Sequence, residues 1–561
     1  MSTSYRDRLL RLAGFNPEAA EDQRCFGAAA WMAAAFAALP FLLNSLDADR
    51  SMPLALLPAV WCGWKLSQPA RTLDACLLGL AVVAMVLSSA LANHAARAFV
   101  MISAVGWTIA GGLVARNLAN CVPAIRLVLA GIVAGAVAGV VMVRLGIGAE
   151  SMFFPTYWSA RLFGAHQFAG ALAALGLLVI APPAQREGKL LASLSALIVW
   201  TGLAWSGSRA PAVGLAVTLV LWFWRGTPGE RRRLLQWVPV LSILALALSY
   251  PLGTPYPQLG WWDAFTRTAE ASGMEAISSD RTRFWSVTLD YALTSPWIGH
   301  GADSYLYIHP AQNGNQPHNA LLQWLLEYGL LGALPLVALV ARGISGLFSA
   351  KVSSASERPF RTWACVALAG AAVYAFFDGV FYHMIIFMPV AVIAGLAMGQ
   401  NNPGGQPGWV LRTHTAGRAL LLGALALLLL HNWLCLMLLK GRNVTPDSPP
   451  AVVLRAFPST TYALRNWINR WSVTHPEAVM PWVKWAQDAA IDQGSYHVYA
   501  AQLYIWKKDY AAAEKEMLVC LEKVHVAERA DVLAVLETVR SLAAGRSPSK
   551  PAPAKINDTA P

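Results

Sequence analysis

Charge is what this sequence has least of. Asp, Glu, Lys and Arg make up 13% of its 561 residues, against roughly 25% in soluble domains, and long apolar runs recur from residue 25 to residue 439. A soluble globular protein is excluded by that pattern, and a chain that crosses a membrane many times is implied. The alternating ten-residue pattern of a membrane barrel is also missing, so the spans must be α-helices, which satisfy their own backbone in lipid. The seven cysteines (25, 62, 76, 121, 365, 435 and 520) form neither metal-ligand spacings nor a disulfide framework, and they leave the redox compartment open. Nucleophile elbows, phosphate-binding glycine loops and zinc spacings are absent. The one segment resembling a metal-binding acidic pair, Ala302-Asp303-Ser304, offers a single carboxylate. Nothing in these residues supports a metal site, and no cofactor is expected.

Thirteen apolar runs are present, at about 25–44, 52–66, 72–93, 98–114, 122–145, 166–183, 189–205, 210–224, 235–250, 319–341, 360–377, 384–399 and 418–439. Residues 1–24 carry Arg6, Arg8, Arg11 and Arg24 without a small-residue cleavage pattern, which reads as a cytoplasmic N-terminus with an uncleaved anchor behind it. Alternating from there puts Lys65, Arg116, Arg186, Arg231, Arg342 and Arg412 in cytoplasmic loops. The net charge of +12 is thus a topology signal and a means of contact with anionic membrane lipids, with no nucleic acid partner expected. The same parity sends the long loop 251–318 outside. An odd number of spans sends the C-terminal part there too. Residues 440–545 are soluble in composition and read as paired amphipathic helices resembling a tetratricopeptide unit, while the Pro- and Ser-rich end, 546–561, reads as a disordered tail.

Chemistry concentrates between Asp280 and Gly332, where arginines, histidines and carboxylates lie among apolar segments. Outward-facing arginines are few, and four have distinctive settings: Arg161 just before a span, Arg209 in the turn SGSRA, and Arg281 and Arg283 in DRTRFW. Any one of them could merely snorkel to headgroups. Several on separate elements at one membrane face suit an anion with paired oxygens, such as a diphosphate, because guanidinium keeps its charge and offers a planar fork. In QPHN, Pro317 biases Gln316 away from helix, so His318 and Asn319 stand at the start of the next span. A histidine there can act as a general base, although a capping or simply hydrogen-bonded loop histidine would look the same. Glu327 lies nine residues on, about 13 Å along a regular helix, and reads as an intramembrane hydrogen-bond partner rather than a partner of His318. Asp378 and His383, in FFDGVFYH, return to the same face.

The SGSRA turn, DRTRFW followed by SPWIGHGADSY, and QPHNALLQWLLEYGLLG together resemble the O-antigen ligase and polymerase superfamily over roughly residues 160–345. The resemblance implies an all-α, GT-C-like membrane bundle in a bacterial inner membrane. It also implies an enzyme that moves a preassembled glycan from undecaprenyl diphosphate to an acceptor hydroxyl on the periplasmic face, inverting the anomeric centre without a metal. Carried over by position, Arg161, Arg209 and Arg281 look like the family's diphosphate ligands and His318 like its catalytic base; Arg283 joins the diphosphate set from its own place in DRTRFW, and Asn319, Glu327 and Asp378 read as supporting residues from their positions in the chain. The acceptor would be a glycan, a glycolipid or a protein. AHQFAG at 165–170 departs from the Pro-Asn or Gln-Pro-Asn of many relatives. FFDGVFYHMIIFMP departs from the Glu-Tyr/Phe-Pro pattern usual in protein O-oligosaccharyltransferases, whereas the helical C-terminal part favours that branch. A polysaccharide or lipid transporter and a non-catalytic assembly scaffold are the readings from other classes. A transporter should show internal repeats and ionisable groups near the midplane, and neither is clear.

Overall fold

The computed structural model describes residues 7, 10, 13–43, 52–63, 72–147, 156–157, 159–180, 186–252, 260–269, 281–307, 316–348, 358–379, 383–399, 410–440, 449–457, 464, 468, 471, 476–488, 495–523 and 529–545. The tail 546–561 lies outside these, as do the side chain of Arg283 and much of the loop 251–318. No strand occurs among the described residues, and the protein is an all-α polytopic membrane bundle.

In chain order the helices of the bundle are α1 (Ala20–Leu42), α2 (Leu57–Gly63, entered through a 3-10 turn, Met52–Leu56), α3 (Thr72–Leu91), α4 (Ala95–Leu118) and α5 (Val122–Arg144). They continue with α6 (Ala160–Leu175), α7 (Arg186–Ser206), α8 (Arg209–Arg225) and α9 (Pro228–Ser249). Two helices of the long loop follow, α10 (Trp261–Ala269) and α11 (Arg281–Thr294), before α12 (Ala320–Ser345), α13 (Arg358–Phe377), α14 (Met384–Gly399) and α15 (Val410–Lys440). Among the described residues ten helices are long and apolar enough to cross a membrane. Three expected spans fall on shorter helices: Met52–Gly63, Arg209–Arg225 and Met384–Gly399. A run of 17 residues still rises about 25 Å.

Without a strong hydrophobic drive between helices in lipid, close backbone approach holds such bundles together. The α1–α5 and α4–α14 pairs use it. A methyl on Gly131 or Gly135 of α5 would strike the backbone of Ala33 or Phe36, and one on Gly395 or Gly399 of α14 would strike that of Gly112 or Arg116. The loop between α8 and α9 is fixed by a capping box. Thr227 Oγ1 accepts from the Glu230 amide (3.3 Å), Glu230 Oε2 accepts from the Thr227 amide (2.6 Å), and Trp222 Nε1 donates to the other carboxylate oxygen (3.1 Å).

Two elements differ from the apolar pattern. α6 starts at Ala160, capped by Ser159, whose hydroxyl accepts from the Leu162 amide (3.3 Å), so Arg161 sits inside the first turn of the helix rather than ahead of it. α12 is broken at Gly329, whose φ of 59° and ψ of −168° suit glycine alone. The segment SPWIGHG wraps this break. Leu330 and Leu331 amides donate to the carbonyls of Pro296 (2.8 Å) and Trp297 (3.1 Å), and His300 and Gly301 amides donate to Leu326 (2.8 Å) and Glu327 (2.8 Å). Pro-x-x-Gly-x-Gly therefore works as a backbone splint, satisfying groups that an interrupted span would otherwise bury unpaired.

The C-terminal part contains α16 (Pro449–Ala456), α17 (Pro476–Asp488), α18 (Ser495–Trp506), α19 (Tyr510–Lys523) and α20 (Arg529–Ala543). Leu434 and Cys435 of α15 share one buried cluster with Leu454, Trp482, Val483 and Tyr499. A second cluster, including Ala501, Met517, Cys520 and Leu536, joins α18, α19 and α20.

Candidate functional site

Six helices, α6, α7, α8, α11, α12 and α13, meet at one end of the bundle because each starts or stops there. α7 ends at Ser206 and α8 begins at Arg209, leaving the tight turn Gly207-Ser208, with Gly207 at φ 61°. Ser208 Oγ donates to the Ala160 carbonyl (3.4 Å), which ties this turn to the first turn of α6 and brings Arg209 and Arg161 to one rim. α11 opens on Arg281. Its Trp285 Nε1 donates to the Pro317 carbonyl (3.0 Å), and Phe284 lies 6.2 Å from the His318 ring, centre to centre. Asn319 caps α12 by accepting from the Leu322 amide (3.0 Å). His318, just ahead of that cap, holds a φ of 51°, a left-handed conformation unusual for histidine and a form of strain that gathers at functional sites.

His318 is the meeting point. Arg161 Nη1 lies 2.9 Å from Nδ1 and 3.0 Å from Nε2, Asp378 Oδ1 is 3.4 Å from Nδ1, and the same oxygen is 3.5 Å from Arg161 Nε. Asp378 follows the last turn of α13, where Tyr374 donates its hydroxyl to Oδ2 (3.2 Å) and the Gly379 amide donates to Oδ1 (2.8 Å). Arg281 lies within electrostatic reach of Asp378, Arg161 and Arg209.

Burial, and then the Arg161 cation, push the His318 imidazole down to about 4, against the pull of Asp378. It is therefore neutral at pH 7 and able to accept a proton. Burial pushes the Asp378 carboxyl up, but Arg161, the hydrogen bond with His318 and Arg281 together hold it well below the usual carboxylate range. Arg281 is lowered, chiefly by burial, yet a guanidinium stays charged in proteins. Three guanidiniums against one carboxylate leave two positive charges around a neutral imidazole, a suitable reception for a dianion.

Arg161, Arg209, Arg281, His318 and Asp378 are thus brought together from positions more than two hundred residues apart. Asn319 acts as the cap beneath them, and Glu327 stands elsewhere. Glu327 is buried at the break of α12, with Gln323 Nε2 donating to Oε1 (3.1 Å). Gln316 bonds His383 (2.9 Å), fastening the loop before α12 to the loop before α14. Tyr374 was not among the sequence candidates, because a tyrosine within an apolar helix reads as packing. Nor was the buried pair of Arg97 and Asp303 (2.5 Å), which anchors the segment after the splint to α4 with help from His94 on the Ala302 carbonyl (2.8 Å). Among the described residues no three His, Cys, Asp or Glu side chains gather as a metal site.

An apolar groove of about 410 Å³ runs between α8, α12 and α13, lined by Val217, Leu221, Ile344, Val373, Phe376 and Phe377. Its upper lip adjoins the site, since Phe376 packs on Trp285 (5.5 Å) and Asp378 directly follows Phe377.

A family model described as O-antigen ligase matches residues 194–337, from within α7 to most of α12. That stretch holds Arg209, Arg281 and His318, whereas Arg161 and Asp378 lie on either side of it. No curated protein matches the chain.

Proposed function

From a chain that the match at 194–337 assigns to the O-antigen ligase and polymerase superfamily, we propose an enzyme that transfers a preassembled glycan from undecaprenyl diphosphate to an acceptor hydroxyl at the periplasmic face of the inner membrane. The observation that carries this reading is the convergence of Arg161 and Arg281 on one buried, neutral histidine, with Arg209 within electrostatic reach of Arg281. His318 takes the acceptor's proton as its oxygen attacks the anomeric carbon from the side opposite the diphosphate. The glycosidic carbon–oxygen bond breaks, and its electron pair leaves on the diphosphate, so the centre inverts. The arginines neutralise that developing charge. Each such preorganised donor is worth roughly 2.7–4 kcal/mol of transition-state stabilisation, by analogy with oxyanion holes. The groove below Phe377 supports the same reading, for it offers the isoprenoid tail an apolar course ending beside the arginines.

The periplasmic orientation rests on the positive-inside distribution of the loops. One observation favours a second reading, a protein O-oligosaccharyltransferase: the C-terminal helices pack on the end of α15 and present a helical surface that a polypeptide acceptor could use. The choice is made by incubating the purified full chain with a pool of undecaprenyl-diphosphate-linked glycans and three acceptors: lipid A core, a glycan repeat unit on its lipid carrier, and a Ser-rich polypeptide. Label on one acceptor assigns the branch. Movement of the lipid-linked glycan across proteoliposomes with no covalent transfer to any acceptor would favour the transporter reading instead.

A further inference from the structure

Asp378 lies outside the stretch matched by the family model, and neither the proton transfer to His318 nor the charge neutralisation by the arginines requires it. Its carboxylate is almost wholly buried, yet it faces charged or polar groups from four elements: Arg161 of α6, Arg281 of α11, His318 before α12 and Tyr374 of α13. Arg161, meanwhile, lies over the His318 ring, with one guanidinium nitrogen within 3.0 Å of both ring nitrogens. Guanidinium has no lone pair to accept the acceptor's proton, and its cation over the ring face opposes protonation of the imidazole. A site in this arrangement holds its base suppressed.

We propose that Asp378 is a positioning residue with two successive tasks. In the substrate-free site it parks Arg161 against His318. Once the donor's diphosphate draws Arg161 away, Asp378 Oδ1 keeps His318 Nδ1, fixing the tautomer that leaves Nε2 free. The proton then passes from the acceptor oxygen to Nε2, the anomeric carbon changes partners as above, and the imidazolium formed is stabilised by the Asp378 charge until it releases its proton to water. Donor binding therefore releases the base from the cation above it, and the acceptor reacts second. This rests on the reading of His318 as base and of the arginines as diphosphate ligands.

The test compares purified full-length wild type with Asp378→Asn, Asp378→Glu and His318→Ala, measuring binding of undecaprenyl diphosphate in detergent micelles and kcat at saturating donor. Asparagine keeps the shape and loses the charge. For Asp378→Asn, kcat should fall about 10²- to 10⁴-fold, as for the aspartate of a Ser-His-Asp triad. Undecaprenyl diphosphate should bind it as tightly as wild type or more tightly, because no carboxylate competes for Arg161. Should the Asn protein not fold, Asp378→Glu carries the test, with a lower kcat at undiminished binding. Affinity falling in step with kcat would mark a merely structural role and overturn the proposal, as would kcat within threefold of wild type. The His318→Ala arm separates the two levels. Transfer persisting there sinks the base reading itself, whereas an inactive His318→Ala beside a fully active Asp378→Asn sinks only the role given to Asp378.

Discussion

Replacing Gly329 by alanine should break the splint that lets α12 be interrupted inside the membrane. The residue sits at φ 59° and ψ −168°, a region that only glycine occupies without strain, and an alanine there costs roughly 1–3 kcal/mol. The added methyl would also run into the Trp297 carbonyl group, which cannot yield without loosening Leu330 from Pro296 or Leu331 from Trp297. A buried backbone group left unpaired costs about 1–3 kcal/mol more, so the whole penalty is about 2–6 kcal/mol. Gly106→Ala is the control. Gly106 lies in α4 with open space where its methyl would go, and helix propensity there favours alanine by about 1 kcal/mol. The assay is the thermal midpoint of monodispersity in detergent, read by size-exclusion fluorescence. Gly329→Ala should fall well below wild type while Gly106→Ala matches or exceeds it. Equal midpoints for the two variants would refute the splint.

The pH dependence of transfer should betray the buried histidine. Because only neutral His318 can accept a proton, and burial with Arg161 holds it down to about 4, the acid limb of kcat/KM should lie well below 6.5. Removing the cation in Arg161→Gln should move that limb upward, and a wild-type limb at or above 6.5 would contradict the electrostatics. Arg281→Gln and Arg209→Gln should each lower kcat about 10²- to 10³-fold, with Arg281→Lys recovering little, since an ammonium lacks the fork; initial rates at saturating donor decide it. Filling the groove with Val373→Trp should raise KM for the long-chain donor while sparing a donor with a truncated isoprenoid. An equal effect on both donors would remove the groove from the account.

The spans were legible because the bilayer imposes length and polarity on every crossing, and those two properties can be read directly from a sequence. Arg161, Arg209, Arg281 and His318 were legible as well, each being a costly polar group placed beside an apolar run. What could not be read was their mutual geometry. Asp378 is 217 residues from Arg161, and no local spacing brings a carboxylate after α13 onto a guanidinium in α6. The break in α12 was hidden for a different reason. Glycine inside a helix costs only about 1 kcal/mol, so EYGLLG reads as continuous helix, and its conformation is set by a partner segment some thirty residues earlier. Tyr374 was hidden by its own apolar surroundings, being a packing residue until Asp378 is placed within 3.2 Å of its hydroxyl.

Glycan transfer from an undecaprenyl-diphosphate donor by wild type and by His318→Ala, both shown to be folded and both assayed in EDTA, tests whether His318 performs the chemistry. Wild type should keep its rate in the chelator, and His318→Ala should lose transfer while still binding undecaprenyl diphosphate. Undiminished transfer by His318→Ala, or loss of wild-type transfer in EDTA with recovery on adding a divalent cation, would contradict this.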